Sequence, residues 1–546
     1  MKFLNLTLSL ALTFGLLTGC APASSGSATS TETTIQQTGS TETTTITFTD
    51  TAVTASNAAG LKINGTALTI DNAGTYLLTG QCSDGSVKVA KDTTGVTLVL
   101  DGLNLASKTT APIVCGKSSQ VTIEAAESTE STLQDSENNA EDSGNADAEN
   151  AVIKCKDGSQ VTLTGSGTLN ILAQGKNGIK SGATTQGEGE ASLTVQNLVL
   201  NIEAPNNDAI NAEATLNIES GTLTLSAGDD ALHSDYTLNI GSENTPGPTV
   251  TVTISNEGLE AATVNICSGT LHITSTDDCI NAANGDLTDY AYAINISGGT
   301  VIAYSSTGDG FDSNGSLTIS GGTVAVWTAN GADNEPLDAD GTVTISGGTV
   351  LAAGGSSGMG MNLNAQQSCL IFGGNTPAPM GGQPQEKPEF SDSSAPSEAP
   401  DRPDTQQNPE STPSSGTLEA PTPPEQNGQM PTGEKPQGMG GPGNAGTLLT
   451  ENSTFSILDA QGNTLYSGTA PCNTMYLLFS APDLTDGTTA TLSSGDTETT
   501  ATAQSGTLST GRGGMGNPGG NRQFPKSGGD KATGQKAEGQ TAQTSK

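Results

Sequence analysis

Six short segments carry acids at fixed offsets around one apolar residue: NDAINA from Asn207, DDALHS from Asp229, NEGLEA from Asn256, DDCINA from Asp277, GDGFDS from Gly308 and NEPLDA from Asn334. Like charges this close repel unless something neutralises them. If Ile210, Leu232, Leu259, Ile280, Phe311 and Leu337 point inward on strands, the residues after them point outward, because side chains alternate. These are Asn211, His233, Glu260, Asn281, Asp312 and Asp338. Two positions before the apolar residue stand Asp208, Asp230, Glu257, Asp278, Asp309 and Glu335. Stacked strands would turn these residues into columns of oxygen atoms.

The chemistry of such columns is that of a hard cation. Strands stack about 4.8 Å apart, and oxygens on opposite sides of a calcium ion, each about 2.4 Å away, are separated by about the same distance. Mg²⁺ fits less well, preferring about 2.1 Å and keeping its waters. Ca²⁺ is therefore the expected cofactor, with Asp208, Asn211, Asp229, Asp230, Glu257, Glu260, Asp277, Asp278, Asn281, Asp309, Asp312 and Asp338 as candidate ligands. The alternative is a solvated acidic face with asparagine ladders and Asx turns at strand ends. EF-hand and RTX loop patterns are absent.

The elements that would position these residues are legible in the spacing. The six apolar residues are separated by 22, 27, 21, 31 and 26 positions, an irregular period that points to stacked coils of a solenoid. A second signature recurs in the same coils: NIESGTLTL, NICSGTLHI, NISGGTVIA, TISGGTVAV and TISGGTVLA place Gly221, Gly269, Gly299, Gly322 and Gly348 at equivalent corners. Glycine there allows a positive φ or a close backbone approach. With 3% aromatic residues the chain cannot fill a large globular core, whereas short Val, Ile and Leu strands along an axis need only a narrow one. The expected fold class is all-β, a right-handed parallel β-helix.

Lys2, the apolar run from Phe3 to Leu17 and LTGC ending at Cys20 read as a signal peptide over 1–20. LTGC resembles the lipobox of bacterial lipoproteins, which implies lipidation at Cys20, an extracellular place on the cell membrane and membrane contact through the lipid alone. A Ser/Thr-rich spacer is expected over 21–55 and the β-helix over 56–375, with Glu124–Glu149 as a protruding acidic loop. Residues 376–445 read as a Pro/Gln/Gly linker, 446–510 as strands that complete or cap the helix, and 511–546 as a basic Gly-rich tail. Cys115 and Cys155 follow similar apolar runs and could stack in one ladder, as a disulfide or as small core residues.

A net charge of -38 makes nucleic acid an improbable partner, and a monomer is expected. For catalysis the one candidate is Lys180, which occupies the offset of Asn211 and His233 and could serve as a base in a β-elimination. His233 reads as an exposed ladder member.

The segments TLVLDGLNLASKTTAPIVC, GSQVTLTGSGTLNI, NGIKSG, NDAINA, DDALHS, DDCINA and SGGTVLAAGGSSGMGM resemble the calcium-associated carbohydrate-binding proteins of clostridia and relatives. The resemblance covers roughly 60–375 and extends to 446–500. It implies a right-handed parallel β-helix shaped like pectate lyases, and binding of plant-wall polysaccharide, with polygalacturonate and cellulose as ligands. A bound Ca²⁺ would reconcile an anionic protein with an anionic polymer. For cellulose, which asks for a flat aromatic platform, the candidates are Tyr290, Tyr292, Tyr304, Phe311 and Trp327. A lyase and a structural surface stalk stand as the alternatives to a binding protein.

Overall fold

The computed structural model describes residues 43–183, 191–285, 287, 290–329, 334–354, 362–373 and 447–509. The expected signal peptide with Cys20, the 376–445 linker and the 511–546 tail lie outside the described residues.

Each coil contributes up to three short strands, and each strand pairs in parallel with its counterpart in the next coil. One coil runs Ala191–Val195, Val199–Ala204 and Ile210–Ala212; the next runs Thr215–Ile218, Thr222–Ala227 and the start of Leu232–Ile240. The pairings Leu193↔Leu216, Leu200↔Leu223 and Ile210↔Leu232 stack like on like. The chain is thus a parallel β-helix. Val, Leu and Ile fill it because each face alternates: in Val199–Ala204, Leu200, Ile202 and Ala204 are buried and the residues between them are not. The inward residues form one continuous core from Ile46 to Leu478, including Phe311, which is completely buried.

At the repeated corners Gly299, Gly322 and Gly348 have φ of 78°, 79° and 81°. A Cβ on Gly322 would press on the Gly299 carbonyl at 2.6 Å, so both the positive φ and the stacking require glycine. On the outer face of a neighbouring sheet, Asn239 donates to Asn217, Asn265 to Asn239 and Asn295 to Asn265, at 2.9, 3.0 and 3.0 Å. This amide ladder pins the register of the coils that carry the acids.

Two expectations are corrected and a third is settled. The solenoid begins before residue 56: Thr44–Phe48, inside the expected spacer, pairs in parallel with Tyr76–Gly80 and buries Ile46 and Phe48. The acidic segment 124–149 is not a loop throughout, because Glu130–Gln134 is a coil strand that buries Ser131 and Leu133 between Asn104–Ala106 and Thr168–Leu172. Only the part beyond it leaves the stack, in two short 3-10 turns anchored by the buried Asn139. Of the two readings open for the cysteines, the one as small core residues holds: Cys115 and Cys155 stack as register partners, completely buried, and both thiols are free.

Residues 447–509 close the far end. Tyr476–Ser480 pairs antiparallel with both Thr349–Gly354 and Asn362–Gly373, and Gln504–Ser509 pairs with the latter. A four-stranded antiparallel sheet lies outside the coils, and its Phe455, Ile457 and Leu492 pack with Trp327, Leu351 and Phe372. Antiparallel pairing ends the ladder without leaving a bare edge.

Candidate functional site

The register assembles the acids into two adjacent columns. Along the outward column Lys154, Lys180, Asn211, His233, Glu260, Asn281 and Asp312 are successive strand partners. The bridge Phe311↔Leu337 brings Asp338 next in line. The column therefore runs from cationic to anionic.

The second column sits at the corner that precedes each strand, and Asp208, Asp230 and Glu335 within it are buried. Here one carboxylate oxygen stitches coil to coil. Asp208 Oδ1 accepts from the Asp230 N–H at 3.2 Å, Asp278 Oδ1 from Asp309 N–H at 2.6 Å, and Asp309 Oδ1 from Glu335 N–H at 2.5 Å. The other oxygen of Asp208 and of Asp230 turns towards the outward column.

What meets the second-column acids differs along the stack. Asn211 Nδ2 donates to Asp208 Oδ2 at 2.5 Å, and Asn281 Nδ2 donates to Glu257 Oε2 at 3.1 Å. His233 Nδ1 lies 2.9 Å from Asp230 Oδ2 and 2.8 Å from Glu260 Oε2, and its Nε2 lies 3.1 Å from Asp235 Oδ1. Burial alone would depress this imidazole, but the bonds to Asp230, Asp235 and Glu260 overcome it and raise its pKa well above the usual value. His233 is thus an internal cation. Its side chain is only 20% exposed, which corrects the expectation of an exposed ladder member. Burial, opposed by His233 and reinforced by Glu260, holds Asp230 up at about 9.

At the other end no such partner intervenes among the described residues. Oxygens of Asp309, Asp312 and Asp338 lie within 4.8 Å of one another. Burial pushes Asp309 up to about 8, Asp278 to about 7 and Asp312 to about 6, and neighbouring carboxylates in this group push in the same direction. Asn281, the register partner of Asp312, has a side-chain oxygen that is shielded from solvent and accepts no hydrogen bond. An all-oxygen set, with an orphaned amide carbonyl on the neighbouring coil, suits a hard cation such as calcium. The Asp230, His233 and Glu260 cluster suits it less, since an imidazolium already supplies positive charge there.

Other candidates fall elsewhere. Asp229 and Asp277 are exposed at the corners. Lys180 Nζ is ion-paired with Glu213 at 3.3 Å, and a role as base would require that pair to break. Phe311 is in the core and Trp327 is only 6% exposed, so the aromatic candidates for a platform shrink to Tyr290, Tyr292 and Tyr304. Asp235 and Glu213 were not anticipated, although each stands two positions after an outward column residue, Asp235 on the same face of its strand and Glu213 in the bend just after Ile210–Ala212.

Over Asp208, Asp230, His233 and Glu260 the surface opens into a cleft of about 520 Å³, rimmed by Lys176, Lys180, Glu213, Asp235 and Asn284. Asn284 Nδ2 donates to the Asp235 carbonyl at 2.8 Å and fixes one wall. Lys176 reaches Glu141 of the acidic insert at 3.0 Å.

Comparison with known proteins adds three findings. A protein of Acetivibrio thermocellus described as a carbohydrate-binding domain-containing protein is 32% identical over 136 residues, which cover 24% of this chain and 46% of that protein. The chain thus spans about half the length of that relative. A solved structure, described as the polysaccharide lyase-like protein from C. thermocellum in a gadolinium derivative, is 23% identical with a TM-score of 0.33, covering 56% of this chain and 97% of that one. The family described as carbohydrate-binding domain-containing protein matches residues 64–358, more than half of the sequence and nearly all of the coiled stack, and the chain belongs to that family.

Proposed function

We propose that this protein binds polysaccharide through a divalent cation, calcium, held at the anionic end of the outward column. The observation that carries the reading is the Asp309, Asp312 and Asp338 cluster, whose oxygens converge within 4.8 Å. Asp309, Asp312, Asp338 and the orphaned Asn281 Oδ1 are the groups that would hold the ion. Bound there, calcium would supply positive charge and open coordination positions for the oxygens of an acidic sugar.

The glycan class follows from charge. A chain of net charge -38 repels a polyuronate such as polygalacturonate, so affinity for one has to be conditional on the ion. Binding without catalysis is favoured over β-elimination by the Lys180 to Glu213 pair. Lipid attachment at Cys20 would place the domain on the outer face of the cell membrane, with glycan as its partner.

The test is a calorimetric titration of polygalacturonate into the chain in calcium and then in chelator, with absorbance followed for unsaturated product. Heat in calcium alone, without product, supports the proposal. Product formation would establish a lyase, and no heat in either buffer would leave a structural stalk.

A further inference from the structure

The two ends of the acid column differ in how charge is balanced, and the difference has a consequence for the cleft around His233. The imidazole stands between Asp230, Glu260 and Asp235, with both ring nitrogens engaged. A metal ion at that point would have to displace it. The walls are nonetheless built for hydrogen bonding: ammonium donors from Lys176 and Lys180, the two-sided amides of Asn211 and Asn284, and carboxylate acceptors from Asp235 and Glu213. Asn211 Oδ1, on the floor, is shielded from solvent and accepts no hydrogen bond.

We infer that the cleft over His233 is a second sugar subsite, one that takes an uncharged pyranose without any metal. A volume of about 520 Å³ lies within the size of small-molecule sites, roughly 300–1,000 Å³. Each sugar hydroxyl donates one hydrogen bond and accepts others. A vicinal diol can therefore donate to a wall carboxylate while accepting from an ammonium or amide. A uronate is disfavoured here, because acids outnumber the cations Lys176, Lys180 and His233 around the cleft. From the His233 strand to the Asp312 strand there are three coil steps, through Glu260 and Asn281, or about 14 Å at the usual strand spacing. One glycan carrying both neutral and acidic residues could span the two subsites. The inference rests on the carbohydrate-binding reading but not on its calcium arm.

The probes are neutral hexamers of β-1,4-linked glucose, galactose and mannose, titrated into the full chain in chelator. A His272→Asn background leaves one histidine, so the imidazole resonances report His233 alone. The expected result is that at least one hexamer binds in chelator, shifts the His233 ring signals, and binds about ten-fold more weakly to Lys180→Gln, the loss of one charge-assisted hydrogen bond. Asp235→Asn, at the exposed rim, should weaken it comparably. Binding that appears only with calcium, or that leaves the His233 signals unmoved, would overturn the inference, as would no binding of any hexamer. Calcium-dependent binding of polygalacturonate, measured on the same sample, tests the proposed function separately.

Discussion

His233 Nδ1 lies 2.8 Å from Glu260 Oε2 on the next coil and 2.9 Å from Asp230 Oδ2 on its own. One ring thus bridges acids from two coils. Replacing it with alanine takes the shared partner from buried Asp230 and half-buried Glu260, a loss on the scale of a broken buried ion pair, about 3–5 kcal/mol. His233→Ala should lower the urea midpoint of unfolding strongly, and His233→Lys should restore part of it. A midpoint shifted no more than by an exposed surface substitution would show that the ring carries no charge.

The carboxyls at the other end give the metal-free protein a pH dependence of definite sign. Asp309, Asp278 and Asp312 titrate near 8, 7 and 6 in the fold, against about 3.9 when unfolded. Between about pH 4 and pH 8 the folded chain therefore holds more protons than the unfolded one, so stability falls as pH rises. In chelator the thermal midpoint should drop from pH 5 to pH 8. Calcium bound in place of the lost protons should flatten the slope. A midpoint that rises over this range in chelator would contradict the assignment.

Much of this arrangement was legible in the sequence, for reasons that can be located. The inward residues Ile210, Leu232, Leu259, Ile280 and Phe311 do stack in register, because an apolar residue flanked by acids can face only one way in a narrow core. The offset that aligned Lys180 with Asn211 and His233 is likewise the observed register. Local pattern did not reveal which acids would acquire partners. His233 reads as a surface residue until Glu260, 27 residues later, is brought to its ring. Glu130–Gln134 was hidden because its acidic flanks mask an alternation only five residues long. Thr44–Phe48 was absorbed into a threonine-rich spacer for a similar reason: TTITF buries only two side chains.

Gly310 separates Asp309 from the core residue Phe311, and a Cβ there would collide with the Pro336 carbonyl and a Val326 methyl. Gly310→Ala should prise apart the coils that carry Asp309 and Asp338. It should cost about 1–3 kcal/mol, the range for overpacking a filled interior, and reduce calcium affinity along with stability. Thermal unfolding with and without calcium checks both effects. A variant with the parent's midpoint and calcium shift would show that the coils can separate without cost.

The C-terminal strands hide an apolar face. Removing residues 447–509 would uncover Leu351, Leu370 and Phe372, together with the ladder edges of Thr349–Gly354 and Asn362–Gly373. Such a truncation should self-associate, since exposed apolar patches and free strand edges template aggregation. Light scattering on the purified truncation decides it. A monodisperse monomer would mean that the coils cap themselves.

The central claim is that Asp309, Asp312 and Asp338 hold a calcium ion. It is tested most directly by titrating calcium chloride into the chain and into its Asp312→Asn variant in a calorimeter. The account predicts a saturable site in the parent that is weakened at least about ten-fold in the variant, whose fold, read by circular dichroism, is retained. Equal calcium binding by both proteins, or none by the parent, would contradict it.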